Sequence, residues 1–446
     1  MNTEEMLILL NNLVEEKGKS LETLQKEILR ISWEGKTYDQ MKDPENPVAS
    51  RTHHSLDYIK RNKAPKLWDL LSEITGEKVT KKTLKIVLEP ILKQRSHHKQ
   101  YGIKLPQRQN WGNAPNVSLF YDRTKDLTTL EKWIVEDRCQ LIALRGPNGI
   151  GKTTLSVKLA QNLQDKFEYV IWRSLRDTPP VEKIVADMLA CFSEDGKTFL
   201  LDTLAETMIL LLEYLRSHSC LIVLDEVEAI LEPGQLSGKY QEKYRDYGRL
   251  FKQIAQSNHL SCLLLTTTEE LIQISLLEND NDLVRYYQVQ GLEKAEAKAL
   301  LKNIGLIEET ELNNLINCYE SNPLYLGILG IMIRDLFSGK ASEYLKNETI
   351  YLGEIKEILD PIFERMTSLE IDLIYQIAIF DSPLNLEQLQ QRINATISTS
   401  KFIEALKSLR SRCLLDKTSA EDEQGLFTMS KVVRKYIHNR FNSNFL

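Results

Sequence analysis

The stretch Gly146-Pro147-Asn148-Gly149-Ile150-Gly151-Lys152-Thr153 decides how this chain reads. Glycine, four residues, then glycine, lysine and threonine is the spacing of a phosphate-binding loop. The apolar run Leu141-Ile142-Ala143-Leu144-Arg145 leads into it, and Leu155, Leu159, Ala160 and Leu163 follow at helical spacing. Strand, loop, helix is the context the motif needs. Its glycines let the backbone curl so that N–H groups point inward at phosphate oxygens. The helix begun by Lys152 and Thr153 directs its positive dipole end at the same anions. Lys152 is expected to reach the β- and γ-phosphates of a nucleotide, and the Thr153 hydroxyl to ligate Mg²⁺. Gly146, Asn148, Gly149, Ile150, Gly151 and Thr154 complete the expected nucleotide contacts.

Outward from the loop, strands and helices alternate. A helix over 125–135 precedes the first strand. A second strand covers Tyr169–Arg173, and helices follow at Val181–Phe192 and Leu204–Leu215. The run Cys220-Leu221-Ile222-Val223-Leu224-Asp225-Glu226 is a buried strand ending in two acids, the Walker B form. Asp225 is expected to hold Mg²⁺ through its waters, and Glu226 to orient or deprotonate an attacking water. Adjacent side chains diverge at a strand end, so the two need not share a role. Lys152, Asp225 and Glu226 are thus the expected catalytic groups, and Thr153 and Asp225 the expected metal ligands. A polar, mobile-looking loop over 232–245 and a short helix lead to another strand, Leu260–Thr267, and a last one near Val284–Val289. Apolar strands alternating with helices mean a parallel sheet covered on both faces. ATP and ADP with Mg²⁺ are the expected ligands. The base-reading motif of GTP-binding proteins is not apparent, since Asn303 is followed by Ile304 and Gly305.

The flanks are helical. Leu21, Leu24, Ile28 and Ile31 fall at helical spacing, a glycine turn at Gly35 follows, and a short helix is expected from Thr37. After a loop over 43–50, a helix runs from about Ser55, with Pro65 expected to kink or split it. This is the pattern of a helix-turn-helix. Lys60, Arg61, Lys63 and Lys66 would lie on the presented helix and meet phosphate, or the same scaffold would dock protein. Residues 96–118 read as a polar linker, and His97-His98 as a solvated pair within it. Beyond 291 come helices over 293–304, 309–319 and 323–336, then 371–380 and 401–409. A strand pair, Leu414–Lys417 and Leu426–Met429, spans a polar turn before a last helix, 431–440; helices, hairpin and helix make a winged helix.

Composition bounds the rest. The 446 residues suit about three domains. The 42% hydrophobic and 27% charged fractions are those of a soluble globular protein. No apolar run is long enough to span a membrane, and the acidic N-terminus lacks the basic region of a secretion signal. Six scattered cysteines with no C-x-x-C spacing suit a reduced, cytoplasmic protein. Residues 42–110 hold 15 Lys/Arg against 7 Asp/Glu, whereas 111–446 hold 37 against 48. The basic stretch is either a solvated face or a surface for something anionic, DNA included, through residues 42–95.

Over 119–440 these words in this order resemble the NB-ARC branch of the STAND ATPases, through WGNAPNVSLFYDRTKDLTTLEKWIV, LRGPNGIGKTTL, FEYVIWRSLRD and LIVLDEVEAIL. The likeness is strongest to bacterial, cyanobacterial-type members. From Ile28 to Leu88 the chain resembles the sigma-like helix-turn-helix of vWA–MoxR-associated proteins, through SWEGKTYDQM, DYIK and KLWDLLSEITGEKVTKKTL. In that family the module acts in assembly as much as on DNA. The resemblance implies that Arg123 contacts the nucleotide and that Pro323 packs near the adenine. Two positions depart from it. Thr268 stands where a strand-end arginine is expected, and Met429-Ser430-Lys431 stands for the winged-helix M-H-D triplet. Ser430 thus replaces the histidine that holds the ADP β-phosphate and retains one hydrogen-bond donor, while Lys431 reverses a charge. Relatives carry C-terminal repeats that sense a ligand, and no period of 20–50 residues appears here. Sensing is then expected from another protein, or this is a minimal or truncated form.

The expected fold is multidomain α/β plus α. A helix-turn-helix domain spans 1–95, a linker 96–118, a P-loop domain 119–290, a helical ARC-type subdomain 291–349 and a winged helix 350–446. The expected function is an ATP/ADP-controlled switch with slow Mg²⁺-dependent hydrolysis. It would oligomerise with itself or present its N-terminal module on nucleotide exchange, in signalling or defence, with an effector or sensor protein in trans and no membrane. Two alternatives stay open: a DNA-binding ATPase that regulates transcription, and a nucleotide-binding scaffold that does not hydrolyse.

Overall fold

The computed structural model describes residues 19, 21–37, 56–89, 108–117, 120–192, 203–307, 309–347, 349–380, 382–392, 397–418 and 425–442, with six residues between 3 and 14. The short helix expected from Thr37, the loop over 43–50, His97-His98 and most of the turn over 418–425 lie outside these. The chain divides into two compact units, Met1–Leu105 and Pro106–Leu446.

In the first unit, helix α1 spans Thr23–Trp33 and α2 spans Ala64–Thr75. The helix expected from Ser55 runs without a break from Leu56 to Thr75, and a π-wound turn precedes Pro65. Leu56–Tyr58 is a single α-turn, Ile59–Lys63 is wound as a π-helix, and Pro65 sits in the first turn of α2. The π-wound turn before it, in which Ala64 N–H reaches back to the Ile59 carbonyl, accommodates the ring and its missing N–H. Gly76 ends α2 in the left-handed conformation (φ +73°). Leu24, Ile28, Ile31, Leu67, Leu71, Leu84 and Leu88 form its core. Lys60, Arg61 and Lys66 are exposed, whereas Lys63 is ion-paired with Glu22 at 2.6 Å.

The second unit is built on six parallel strands. They are β1 (Arg108–Asn110), β2 (Leu141–Arg145), β3 (Tyr169–Ser174), β4 (Cys220–Asp225), β5 (Cys262–Thr267) and β6 (Val284–Gln288), in the order β1-β3-β4-β5-β2-β6. β1 is a correction to the sequence reading: within the polar linker, Arg108–Asn110 pair in register with Tyr169–Ile171 and close one sheet edge. Three residues are too few to show a period. Alternation within the strands feeds two cores. Leu141, Ala143, Ile171, Ile222, Leu224, Leu263 and Leu265 pack on one face, and Ile142, Leu144, Trp172, Leu221, Val223 and Leu264 on the other. Helix α3 (Thr124–Val135) and α4 (Lys152–Leu163) cover the second face. α5 (Val181–Phe192), α6 (Leu204–Ser217), α7 (Arg245–Gln256) and α8 (Ile272–Asp280) contribute to the first.

Beyond β6 the chain is helical: α9 (Lys294–Ile304), α10 (Glu309–Cys318), α11 (Pro323–Phe337), α12 (Ala341–Leu345), α13 (Ile355–Glu364), α14 (Ser368–Ala378), α15 (Leu386–Arg392) and α16 (Thr399–Ser411). The antiparallel hairpin β7 (Asp416–Thr418) and β8 (Leu426–Thr428) and helix α17 (Lys431–Asn442) complete it. One continuous apolar core runs from Leu292 through Leu359 and Leu409 to Ile437. The segments expected as a helical subdomain and a winged helix therefore share their interior. No helix among the described residues is long and apolar enough to cross a membrane.

Candidate functional site

The loop between β2 and α4 needs its glycines for two reasons. Gly149 (φ +78°) and Gly151 (φ +99°) are left-handed, a region where a side chain costs roughly 1–2 kcal/mol. Gly149 is also crowded: an added Cβ would lie 2.7 Å from the Leu324 Cβ. Gly146 donates its N–H to the Thr267 carbonyl at 3.3 Å, which ties the loop to β5. Helix α4 starts on this curl, and Leu155 N–H bonds back to the Gly151 carbonyl at 2.9 Å.

Lys152 is buried, and its Nζ donates to the carbonyls of Gly146 (2.8 Å) and Pro147 (3.1 Å). The ammonium thus folds over the rim of the loop. Burial pulls its pKa below the usual lysine value, countered chiefly by Glu228. Thr153 Oγ1 donates to Asp225 Oδ1 at 2.9 Å and Oδ2 at 3.0 Å. Asp225 also accepts from the Thr266 hydroxyl, and burial raises its pKa. A hydroxyl and a carboxylate are hard oxygen donors, and they meet here beside a buried cation. That donor set fits Mg²⁺, which keeps waters and phosphate oxygens as its remaining ligands. Among the described residues no group of three or more His, Cys, Asp or Glu could hold a metal, so an all-protein cage is not built here. Thr154, the next residue of α4, is partly buried.

Arg123 is buried, and both of its terminal nitrogens are bonded within the protein. It donates to Ile150 O (2.5 Å), Gln290 O (3.0 Å) and Asp126 (2.8 Å). It therefore clamps the loop between α3 and the end of β6. Pro323 opens α11, and its ring lies 3.9 Å from where a Cβ on Gly151 would stand. Asn322 caps α11 by accepting the N–H groups of Leu324 and Tyr325 at 3.1 and 3.3 Å, and it donates to the Asn148 carbonyl at 3.0 Å. Leu324 N–H reaches the Gly149 carbonyl at 3.3 Å. Asn148 itself extends toward the Ile358 carbonyl of α13 (3.5 Å). Ser430 caps α17, accepting the Val433 N–H at 3.1 Å.

Glu226 stands at the end of β4 in the left-handed region (φ +61°, ψ +49°). Its N–H bonds to Thr266 Oγ1 at 2.9 Å. Its carboxylate is paired with Arg176 at 2.6 Å and accepts from Ser174 at 3.0 Å. The structure thus brings Lys152, Thr153 and Asp225 together, joins Arg123, Asn148, Gly149 and Pro323 around the loop, and turns Glu226 toward β3. Thr268, in place of the expected arginine, gives its N–H to Glu228 Oε2 at 3.3 Å.

The strand end after β5 holds the groups that sequence reasoning missed. Glu269 is buried and pairs with Arg412 (2.7 Å) and Arg365 (3.1 Å). Arg412, 2% exposed, also binds Glu370 at 2.9 Å and Gln235 O at 2.7 Å. Glu270 N–H reaches Ser411 Oγ at 2.9 Å, and Arg145 binds Glu270 at 2.6 Å. The loop over 232–245, expected to be mobile, is pinned by the same cluster. Gly234 N–H bonds Arg365 O at 2.9 Å, and Ser237 N–H bonds Ser408 Oγ at 2.8 Å. Asn322 was readable, because an Asn before a helix-opening Pro is a cap signal. Nothing local marked Arg412 as buried.

Comparison with known proteins agrees with this geometry. Residues 123–310 match the NB-ARC domain family, and residues 1–91 match the N-terminal HTH of vWA-MoxR associated proteins. An uncharacterized WD repeat-containing protein of Nostoc sp. is 39% identical over 343 residues, 74% of this chain. The match spans 27% of that protein's length. The Walker-type ATPase of Pyrococcus abyssi shares the fold, with a TM-score of 0.51 at 14% identity over 72% of this chain and 96% of its own. A STAND protein with a tetratricopeptide repeat sensor from Pyrococcus horikoshii gives a TM-score of 0.38 at 17% identity, over 74% of this chain and 44% of its own. The chain therefore carries an NB-ARC domain over residues 123–310, built on the six-stranded parallel sheet and the phosphate loop, and the N-terminal HTH domain of vWA-MoxR associated proteins over residues 1–91.

Proposed function

We propose that this chain is an ATP/ADP-controlled switch in which the winged helix (from about 350) closes on the P-loop domain (119–290) and opens on nucleotide exchange. One observation carries the reading. The segment Thr266–Glu270 touches both halves: Thr266 bonds Asp225, while Glu269 and Glu270 hold Arg412, Arg365 and Ser411. A shift of Asp225 on metal loading would therefore be felt at the winged helix through four residues of backbone. The magnitudes suit a switch. Breaking one partner of a buried ion pair costs about 3–5 kcal/mol, and inverting a resting equilibrium needs about 5 kcal/mol of differential affinity.

Lys152, the loop N–H groups and the α4 dipole would bind the phosphates, and Thr153 and Asp225 would hold Mg²⁺. Bound with ATP, Mg²⁺ supplies neutralising charge at the transferred phosphoryl group. Arg123 and Pro323 would fix the loop against the base side, and Ser430 would contribute one hydrogen bond at most while it caps α17. Hydrolysis assisted by Glu226 would reset the switch, so turnover is slow. The open form would pair with further copies, present residues 1–95 to an effector, and take its trigger from a sensor protein in signalling or defence. The six unpaired cysteines suit the cytoplasm.

The test is the nucleotide itself. Purified protein should release stoichiometric ADP on denaturation, and its mass in solution should rise when ATP replaces ADP. Lys152→Ala should lose both, and nucleotide binding unchanged in that variant would sink the reading. Exposed Lys60, Arg61 and Lys66 favour a second reading in which residues 42–95 touch DNA. It requires an affinity that falls steeply with salt and is lost on neutralising these residues.

A further inference from the structure

Glu226 is the group with which the switch reading would activate water, and in this structure both of its carboxylate oxygens are tied to Arg176 and Ser174. Arg176 Nε donates to Oε1 at 3.1 Å and to Oε2 at 2.9 Å, and Arg176 Nη2 donates to Oε1 at 2.6 Å. Ser174 Oγ donates to Oε2 at 3.0 Å and accepts the Arg176 N–H at 3.1 Å, so its one proton is directed at Glu226. The Nε–H is one donor shared between the two oxygens, so three hydrogens converge on the carboxylate, two from the guanidinium fork and one from the hydroxyl, and both oxygens are engaged. A general base must instead come within hydrogen-bond reach of the water it deprotonates. Ser174 aligns with Asp225 across the β3–β4 register, so the tether comes from the neighbouring strand. The Arg176 side chain is 76% exposed, and it can turn outward without disturbing the core.

We propose that Arg176 is a positioning residue that holds Glu226 away from the attacking water and so brakes hydrolysis until its guanidinium turns outward. The proposal rests on the nucleotide-switch reading. In the braked step a water proton passes to the Glu226 carboxylate and the water oxygen bonds the terminal phosphorus. The bond to the leaving ADP oxygen then breaks, and that oxygen keeps the electron pair. With the guanidinium in place the carboxylate is held by Arg176 and Ser174 instead of turned to the water, so the first transfer is slowed.

Single-turnover hydrolysis of Mg-ATP and binding of a fluorescent ATP analogue would be measured on full-length wild type, R176A, R176K, E226Q and R176A/E226Q. R176A should hydrolyse about 5- to 10-fold faster, a fraction of what a general base contributes, with nucleotide affinity within about twofold. The gain should vanish in R176A/E226Q. R176K keeps the charge without the planar fork and should give a smaller gain, which also serves if R176A does not fold. Hydrolysis equal to or slower than wild type in both Arg176 variants, with binding intact, overturns the brake. So does an acceleration that survives E226Q. Wild type that binds no Mg-ATP removes the switch reading itself, whereas binding without an Arg176 effect removes only this inference.

Discussion

At the scale of the residue, Asp225 carries a conflict between stability and binding. Burial raises its pKa, so the ionised form that would hold Mg²⁺ is disfavoured in the folded chain. The sign follows from linkage. An acid with a raised folded pKa leaves stability intact below its unfolded pKa and lowers it as pH rises through the folded value. Asp225→Asn should therefore stabilise nucleotide-free protein by about 1 kcal/mol at neutral pH, and the gain should shrink as the pH is lowered into the carboxylate range. The same variant should lose the Mg²⁺-dependent rise in melting temperature with nucleotide. Melting curves across pH, with and without Mg-ADP, check both. Gly149→Ala combines the left-handed backbone with the Leu324 contact. It should cost about 2–4 kcal/mol in urea unfolding.

At the scale of the element, α11 is the piece that couples the helical segment to the phosphate loop. Pro323 starts it without an unsatisfied N–H, and Asn322 caps it while bonding the Asn148 carbonyl. Asn322→Ala should cost about 1 kcal/mol for the cap. It should also raise the nucleotide dissociation rate, because the Asn148 carbonyl loses its tie. Asn322→Asp keeps the cap and loses the donor, so it should affect nucleotide release with little change in the unfolding midpoint. Stopped-flow release from the two variants separates these roles. The first-unit helices obey the same local rules, with Pro65 at the start of α2 and Gly76 at its end.

At the scale of the whole molecule, the Glu269–Arg412–Glu370 cluster joins the end of β5 to helices α14 and α16. Arg412→Ala leaves the buried Glu370 without its cation and Glu269 with Arg365 alone, and should cost about 3–5 kcal/mol at this contact. The expected outcome is a larger hydrodynamic radius and faster ADP release. The double variant E269Q/R412M should cost less than the sum of its singles, because the Glu269–Arg412 pair is removed as a whole and neither of its members is left facing the other's absence, while Glu370 loses its cation in both R412M backgrounds. Sedimentation and urea unfolding of the single and double variants measure this coupling, and strict additivity would count against a joint clasp.

The sequence by itself determined the parts that obey short-range rules. Gly146–Thr153 follows from left-handed backbone and the anion affinity of a helix start, and Asp225 from its place at the end of an apolar run. The parallel sheet follows from strands too apolar to face water on either side, and the irregular turn before Pro65 from the missing N–H. The three-residue strand Arg108–Asn110 was not legible, since it is too short for a pattern and owes its pairing to β3. Nor was the pinned loop over 232–245, whose polar residues look solvent-bound until Arg365 and Ser408 are packed against them. Only the tertiary structure decided that Arg123 clamps the loop, that Arg176 pairs with the carboxylate of Glu226, and that Arg412 is buried between two acids. The physical reason is common to all three. The charge on each residue is written in the sequence, but its partner lies tens of residues away, and the pairing exists only once the cores have brought the strand ends together.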